Sequence, residues 1–439
     1  MSLARSLGQL QGLRALRHRN YRLYWTGQLI SLIGTWIQQV AQAWLVLSLT
    51  NDPLMLGLVA TAQYGPVLVF GLFGGILADA LPKRRVIILT QTVLKILALI
   101  LGFLTLKGTA EVWHVMVLAV LLGFTGVVDM PTRQSFVFEM VGREDLPNAV
   151  ALNASVYNGA RVVGPAIAGL TIAAVGVPAA FLLNGLSFVA VIACLLAMRP
   201  DELRPVPRGI MPRTAGAVFA NLAEGLGYIR RTPTILIAIL VLGFVSTAGM
   251  NYSVVIPPLA RDVLNAGPSG YGFLMSAGGI GSVVAALALA FGRRPSTRSM
   301  VGGALLLGVL EVVLAVSVWM PLSLACMFGM GLGGLAMSMS TNTQIQMTVP
   351  DHLRGRVSSV YTTIFAGSTP IGGLIFGALA SGLGTEVAIA VGGLVSVGIA
   401  LTALLVAWHW GLIGPARTRP VETVPPGASP TPGLTRPLP

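Results

Sequence analysis

Five charges stand inside long apolar runs: Lys95, Asp129, Arg133, Arg161 and Glu311. A charge held in hydrocarbon must pair or face a wet cavity, so each is a candidate for ion pairing, proton uptake or recognition of a charged ligand. Asp129 lies ten residues before Glu139, about 15 Å from the nearer membrane edge at 1.5 Å per residue. Arg161 lies at similar depth, counted from Ala151. An Asp129–Arg161 ion pair is the simplest expectation; Asp129–Arg133, four apart on one helix, competes with it. A purely structural pair is the alternative to a proton-coupling role. Glu311 and Lys95 rank below Asp129 as coupling candidates.

Other chemistry has no support in the residues. The lysines are Lys83, Lys95 and Lys107 and none follows a glycine, so there is no Gly-Lys phosphate loop. Neither His-Glu-x-x-His nor Gly-x-Ser-x-Gly occurs. His114 and His352 fall near span ends, and His409 lies between Trp408 and Trp410, an interfacial setting. The expectation is no enzyme, no cofactor and no metal. Cys194 and Cys326 sit in apolar runs and read as packing residues.

The elements that must position these charges are membrane helices. The chain is 54% hydrophobic and 10% charged, against about 25% charged residues in soluble domains. With about 20 apolar residues needed per crossing, twelve spans are expected: 23–49, 54–80, 85–106, 112–138, 150–174, 178–198, 234–257, 269–292, 299–319, 321–346, 356–382 and 385–411. They divide the chain into a basic N-terminus (1–22), a six-helix half (23–198), a linker rich in Pro and Arg (199–233), a second half (234–411) and a Pro-rich, disordered tail (412–439). An even number of spans puts both termini on one side. With that side cytoplasmic, 23 of the 28 Lys and Arg residues fall inside, the bias expected of a multi-pass inner-membrane protein. The net charge of +13 therefore serves topology, not nucleic-acid binding. No short apolar core followed by a cleavage site is read near the first residues. In the linker, Val218, Leu222, Leu226 and Ile229 share one side of an amphipathic stretch.

An internal repeat runs through both halves. Gly123, Gly126, Gly159, Gly164 and Gly169 are each followed 208 residues later by another glycine, Gly331, Gly334, Gly367, Gly372 and Gly377. The copy drops the charges: Met337 and Thr369 stand where Asp129 and Arg161 do. In the first span, Gln28, Ser31, Thr35, Gln38, Gln39 and Gln42 recur at three- and four-residue steps. This stripe faces either a cavity or neighbouring helices. Gln38, Gln39, Gln42, Tyr157, Asn251, Tyr252 and Asn342 are the expected cavity residues.

The turn after the second span reads Gly75-Ile-Leu-Ala-Asp79-Ala-Leu-Pro82-Lys83-Arg84-Arg85. It resembles the cytoplasmic motif of the major facilitator superfamily, Gly-x-x-x-Asp-Arg-x-Gly-Arg-Lys, at Gly75, Asp79, Lys83 and Arg84. Ala80 and Pro82 depart from that motif, and Gly292-Arg293-Arg294 is its remnant in the second half. Gly164, Pro165 and Gly169 resemble the superfamily's antiporter motif, with Ala168 in place of one glycine. The stretches around Asn20–Thr50, DMPTRQSF and REDLPNAVALN resemble the branch of multidrug and siderophore exporters. The resemblance implies an all-α membrane protein of twelve helices in two pseudo-symmetric halves. It also implies proton-coupled efflux of amphipathic organic compounds by a monomer, with protons and a small molecule as partners in the bilayer. A facilitator or symporter of a small polar metabolite, and a non-transporting sensor or assembly factor, are the alternatives.

Overall fold

The structure, a computed structural model, describes residues 11–204, 215–292 and 296–412. The Asp79 side chain, Arg293, Arg294, residues 1–10, the middle of the linker and the tail beyond Leu412 lie outside the described residues. Every regular element described is helical.

A short 3₁₀ turn, Gln11–Arg17, leads into α1 (Arg19–Thr50). Three consecutive residues then make the first hairpin. Asn51 closes α1 in the left-handed region (φ 52°), the Asp52 side chain accepts from Leu54 N–H, and Pro53 opens α2 (Pro53–Ala80). After α3 (Lys83–Leu106), residues Val112–Val175 are helical throughout except at Gly142 (φ 73°, ψ −175°). There the chain reverses, because α4 (112–141) runs alongside α2 and α5 (143–175) alongside α1. A β-carbon at Gly142 would be strained at that φ and would also collide with the Arg204 guanidinium. The first half ends with α6 (Val177–Leu196).

A linker helix α7 (Ala215–Arg231) precedes span seven, expected as one helix over 234–257. The structure breaks it into α8 (Pro233–Gly249) and α9 (Tyr252–Pro258). Met250 and Asn251 are non-helical, and Asn251 Nδ2 donates to the Thr247 carbonyl at 2.6 Å, so a side chain replaces part of the backbone ladder. Spans α10 (Gly267–Phe291), α11 (Thr297–Ala315), α12 (Met320–Thr348), α13 (Asp351–Leu383) and α14 (Thr385–His409) complete two sets of six. The repeat is visible in the boundaries. Residues 112, 143, 175 and 177 bound helices, and so do Met320, Asp351, Leu383 and Thr385, each 208 further on.

The halves meet along α2–α13 and α5–α10, each pair the image of the other under that repeat. A β-carbon on Gly57 would lie 2.1 Å from the Gly373 carbonyl, and one on Gly272 2.3 Å from the Pro165 carbonyl. Only glycine permits such approach. Contact persists as far as Gly279 against Arg161. Beyond it, Gly159 has nothing within 4 Å of a would-be β-carbon, and Tyr157, Ile280 and Leu287 are exposed. The molecule is therefore sealed at the end of Pro53 and Pro268 and parts toward the turn holding Lys83.

Candidate functional site

Between the halves, where the contacts stop, lies a pocket lined by both. Trp36, Gln39 and Tyr64 come from α1 and α2, Arg161 from α5, and Tyr252, Tyr271, Met327 and Thr369 from the second half. Gln39 Nε2 donates to the Tyr64 hydroxyl at 2.8 Å. Tyr157 sits at the open edge with its ring 6.0 Å from Trp36, edge to face. Tyr271 stacks on Trp44 behind the wall, at 6.4 Å between centroids. Aromatic faces and thioethers dominate, with few polar groups, a composition suited to organic ligands.

The expected cavity residues divide. Gln39 and Tyr252 line the pocket, and so does Arg161, which was expected in an ion pair instead. Gln38 does not: its Oε1 accepts from Asn184 Nδ2 on α6 at 2.6 Å. The reason is geometric, since adjacent residues on a helix point about 100° apart and cannot share a face. Gln42 Nε2 donates to Gln63 Oε1 at 3.0 Å, an interhelical bond between α1 and α2. Asn251 serves the α8–α9 break, and Asn342 is exposed on α12, away from the pocket.

The expected Asp129–Arg161 pair is replaced by the competing one. Asp129 Oδ2 accepts from Arg133 Nε at 2.5 Å. Its Oδ1 accepts from Gln91 Nε2 at 3.2 Å and from the Thr90 hydroxyl, both on α3. Along α4 these partners are already within reach, whereas α5 turns Arg161 toward the second half. Arg161 has no ion pair and no side-chain hydrogen bond among the described residues, and it touches the pocket instead. Thr369, its counterpart in the repeat, lines the same pocket.

Glu311 on α11 has a different environment. It is 3% exposed, and its Oε2 has no hydrogen-bond partner. A β-carbon on Gly249 would lie 2.8 Å from that oxygen and 2.9 Å from Ser396 Oγ, so both face the end of α8. Ser246 Oγ, Ser396 Oγ, Asn251 Oδ1 and the Tyr252 hydroxyl are likewise buried without partners. A β-carbon on Gly334 would meet both Leu307 and the Tyr252 hydroxyl, which places Tyr252 about one turn of α11 from Glu311. The helix break thus joins the acid to the pocket wall. Sequence reasoning flagged Asn251 and Glu311 separately, but nothing in the spacing links them. Trp36, Tyr64, Tyr271 and Met327 were missed as well; Trp36, one turn before Gln39, is the one the helical period would have shown.

The motif cations are spent on structure. Lys83 Nζ meets Glu139 Oε1 at 2.6 Å in a part-buried pair. Arg84 donates to the Leu195 and Leu196 carbonyls at the end of α6, at 2.8 and 3.1 Å. Nearby, Asp145 is held by Arg14 (2.8 Å), Arg17 (2.8 Å) and His18 (2.7 Å), pinning the segment before α1 to the α4–α5 turn. Gly164 packs against Trp36, Pro165 presents its carbonyl to Gly272, and Gly169 packs against the start of α10.

Comparison with known proteins agrees with this architecture. The chain is 30% identical over 361 residues to the multidrug efflux pump Tap of Mycolicibacterium fortuitum, covering 80% of this chain and 87% of that one. It is 24% identical to the staphyloferrin A transporter of Staphylococcus aureus, covering 81% and 88% of the two chains. To the enterobactin exporter EntS of Escherichia coli it is 27% identical, covering 89% and 92%. Among solved structures, the nucleoside transporter NupG superposes with a TM-score of 0.72 at 11% identity, over 88% of this chain and 99% of that one. A bacterial homologue of the lysosomal transporter Spinster superposes with a TM-score of 0.67 at 13% identity, over 90% and 96%. The family model described as transmembrane secretion effector matches residues 11–410. With the helix count, the repeat and the interdomain pocket on the same page, the chain belongs to that family, a branch of the major facilitator transporters.

Proposed function

We propose that this chain exports amphipathic organic compounds in exchange for protons, by alternating exposure of the central pocket. The observation that carries the reading is the placement of the pocket: it lies between two six-helix halves that are sealed at one end and parted at the other. The two contact lines are repeat images, so rocking one half against the other would open one end as it closed the other. The names of the relatives, a multidrug pump and two siderophore transporters, favour efflux over uptake of a polar metabolite. The apolar wall favours it too.

Proton exchange needs a carboxyl group whose proton occupancy differs between the two states. Of the two acids buried within the spans, Asp129 and Glu311, the latter is the better placed. One of its oxygens is free to carry a proton, and it faces Gly249 at the end of α8, beside the break that carries Tyr252 into the pocket wall. Asp129 is already held by Thr90, Gln91 and Arg133. In this reading Asp129 braces α3 against α4.

The open end, beside Lys83–Arg85, is assigned to the cytoplasm. Single cysteines at Arg85 and Lys107, both exposed, in a background lacking Cys194 and Cys326, should label from opposite sides. Same-side labelling overturns the orientation. The function is tested by substrate efflux from proteoliposomes under an imposed pH gradient, over a chemically diverse panel. Export that ignores the gradient removes the proton from the scheme. No transport of any compound removes the scheme itself.

A further inference from the structure

We infer that the central pocket selects organic anions: an aromatic or amphipathic body with an acid group that Arg161 and Tyr252 receive together. This rests on the export reading of the same pocket and names its substrate class.

The charge pattern is the first observation. Among the described residues that line the pocket, Arg161 is the charged one and none is a carboxylate. The guanidinium has no ion pair or side-chain hydrogen bond among the described residues, although Asp129 lies one helix away with its valences filled by Arg133, Thr90 and Gln91. A guanidinium offers a planar fork of donors that matches a carboxylate or a comparable oxyanion. Left unpaired at the middle of the membrane it is costly, and a bound anion removes that cost. A cationic ligand would instead meet like charge with no acid in the wall to offset it.

Tyr252 is the second, independent observation. It is 9% exposed, lines the pocket, and its hydroxyl has no hydrogen-bond partner. Its place at the first turn of α9 is set by the break at Met250 and Asn251. A buried phenol without a partner is uncommon. In this state the hydroxyl is buried behind the wall and faces Gly334 of α12; a rotation of the ring would bring it to an oxyanion held by Arg161, from the opposite half of the molecule. An acid group bridging α5 and α9 would therefore draw the two halves together at the pocket. Trp36 and Tyr271 supply the faces for a ring, and Met275 and Met327 the adaptable apolar floor.

The experiment uses the full chain, purified in detergent, and three probes of one shape: 2-naphthoate, 2-naphthamide and 2-naphthylmethylammonium. Affinities are read by calorimetry. The carboxylate should bind roughly tenfold to a hundredfold tighter than the amide, the range of one or two hydrogen bonds to a charged group. The ammonium should bind weakest. Arg161→Gln should erase the preference for the carboxylate while leaving amide binding in place. Arg161→Lys, which keeps the charge and a similar stem, should retain part of it and covers the case in which the glutamine variant fails to fold. Tyr252→Phe should weaken the carboxylate several-fold and leave the amide unchanged. Equal binding of the three probes, preference for the ammonium, or no saturable binding of the carboxylate each overturns the inference. If an uncharged dye is still pumped from proteoliposomes in those cases, only the anion selectivity falls. If nothing is pumped and nothing binds, the export reading falls with it.

Discussion

The two halves share a scaffold and differ in what they do with a buried acid. In the first half Asp129 lies in a closed network, with each carboxylate oxygen bonded and a cation four residues along the same helix. In the second half Glu311 lies among polar atoms that have no partners, next to a broken helix. A buried polar group normally finds a partner, and a cluster that does not is a place where something else binds or where the partners change. The contrast underlies the proposed division of labour, structural support for one acid and exchange for the other. It also explains why duplication alone did not decide the matter: Met337 occupies the image of Asp129 in the core of the second half, and Glu311 has Phe103 as its image in the first.

Six substitutions test the contrast, and the first is expected to matter most. Glu311→Gln should abolish pH-gradient-driven export while downhill exchange and folding survive. Uphill export by this variant would return the coupling role to Asp129. Asp129→Asn should act chiefly on stability, by about 3 kcal/mol, because it weakens the hold on a buried Arg133. Thermal unfolding in detergent measures it, and an unchanged melting point with lost coupling would reverse the assignment of the two acids.

Gly57→Val tests the seal. Its first added carbon would meet the Gly373 carbonyl at 2.1 Å, so the two halves cannot close at that end. Transport should fall severely, and cysteine labelling of the pocket from the sealed side should rise; normal transport would mean that the contact is not needed.

Asp145→Asn probes the first half at its membrane edge, with an expected loss of about 2 kcal/mol for hydrogen bonds to a charged group. Burial by itself would raise the Asp145 carboxyl, but the His18 hydrogen bond and the Arg17 and Arg14 guanidinia outweigh it and hold it below the usual carboxylate range. A depressed folded value gives stability that is fully present above the ordinary carboxylate pKa and is lost as pH falls through the folded one. The wild type should therefore lose more stability on acidification below that range than the asparagine variant does. Parallel pH curves would show that the cluster contributes nothing.

The smallest contrast is between neighbours. Gln38→Ala should cost about 1 kcal/mol, the worth of one buried hydrogen bond to Asn184, and leave the substrate profile alone. Gln39→Ala should change the profile with little effect on stability. If Gln38→Ala alters selectivity and Gln39→Ala does not, the assignment of the two faces is wrong.

Much was legible in the sequence because membrane insertion follows simple local rules. Span length, the distribution of Lys and Arg and the 208-residue glycine repeat are one-dimensional quantities, and they fixed the fold class and the two-half organisation. Glycines such as Gly164 and Gly169 also announced themselves through the repeat, since a close approach admits little else, whereas Gly142 at the α4–α5 turn did not. What the linear pattern could not decide is which groups meet. Asp129, Arg133 and Arg161 were all visible, yet the choice between two ion pairs depended on the rotation of α4 and α5 about their axes. Gln38 and Gln39 differ by one position and by about 100°, and only the neighbours, Asn184 on one side and Tyr64 on the other, give that angle meaning. The link between Glu311 and the pocket crosses from α11 to the α8–α9 break, some sixty residues apart in the chain. Packing alone brings them together, and packing is a property of the whole bundle rather than of any segment within it.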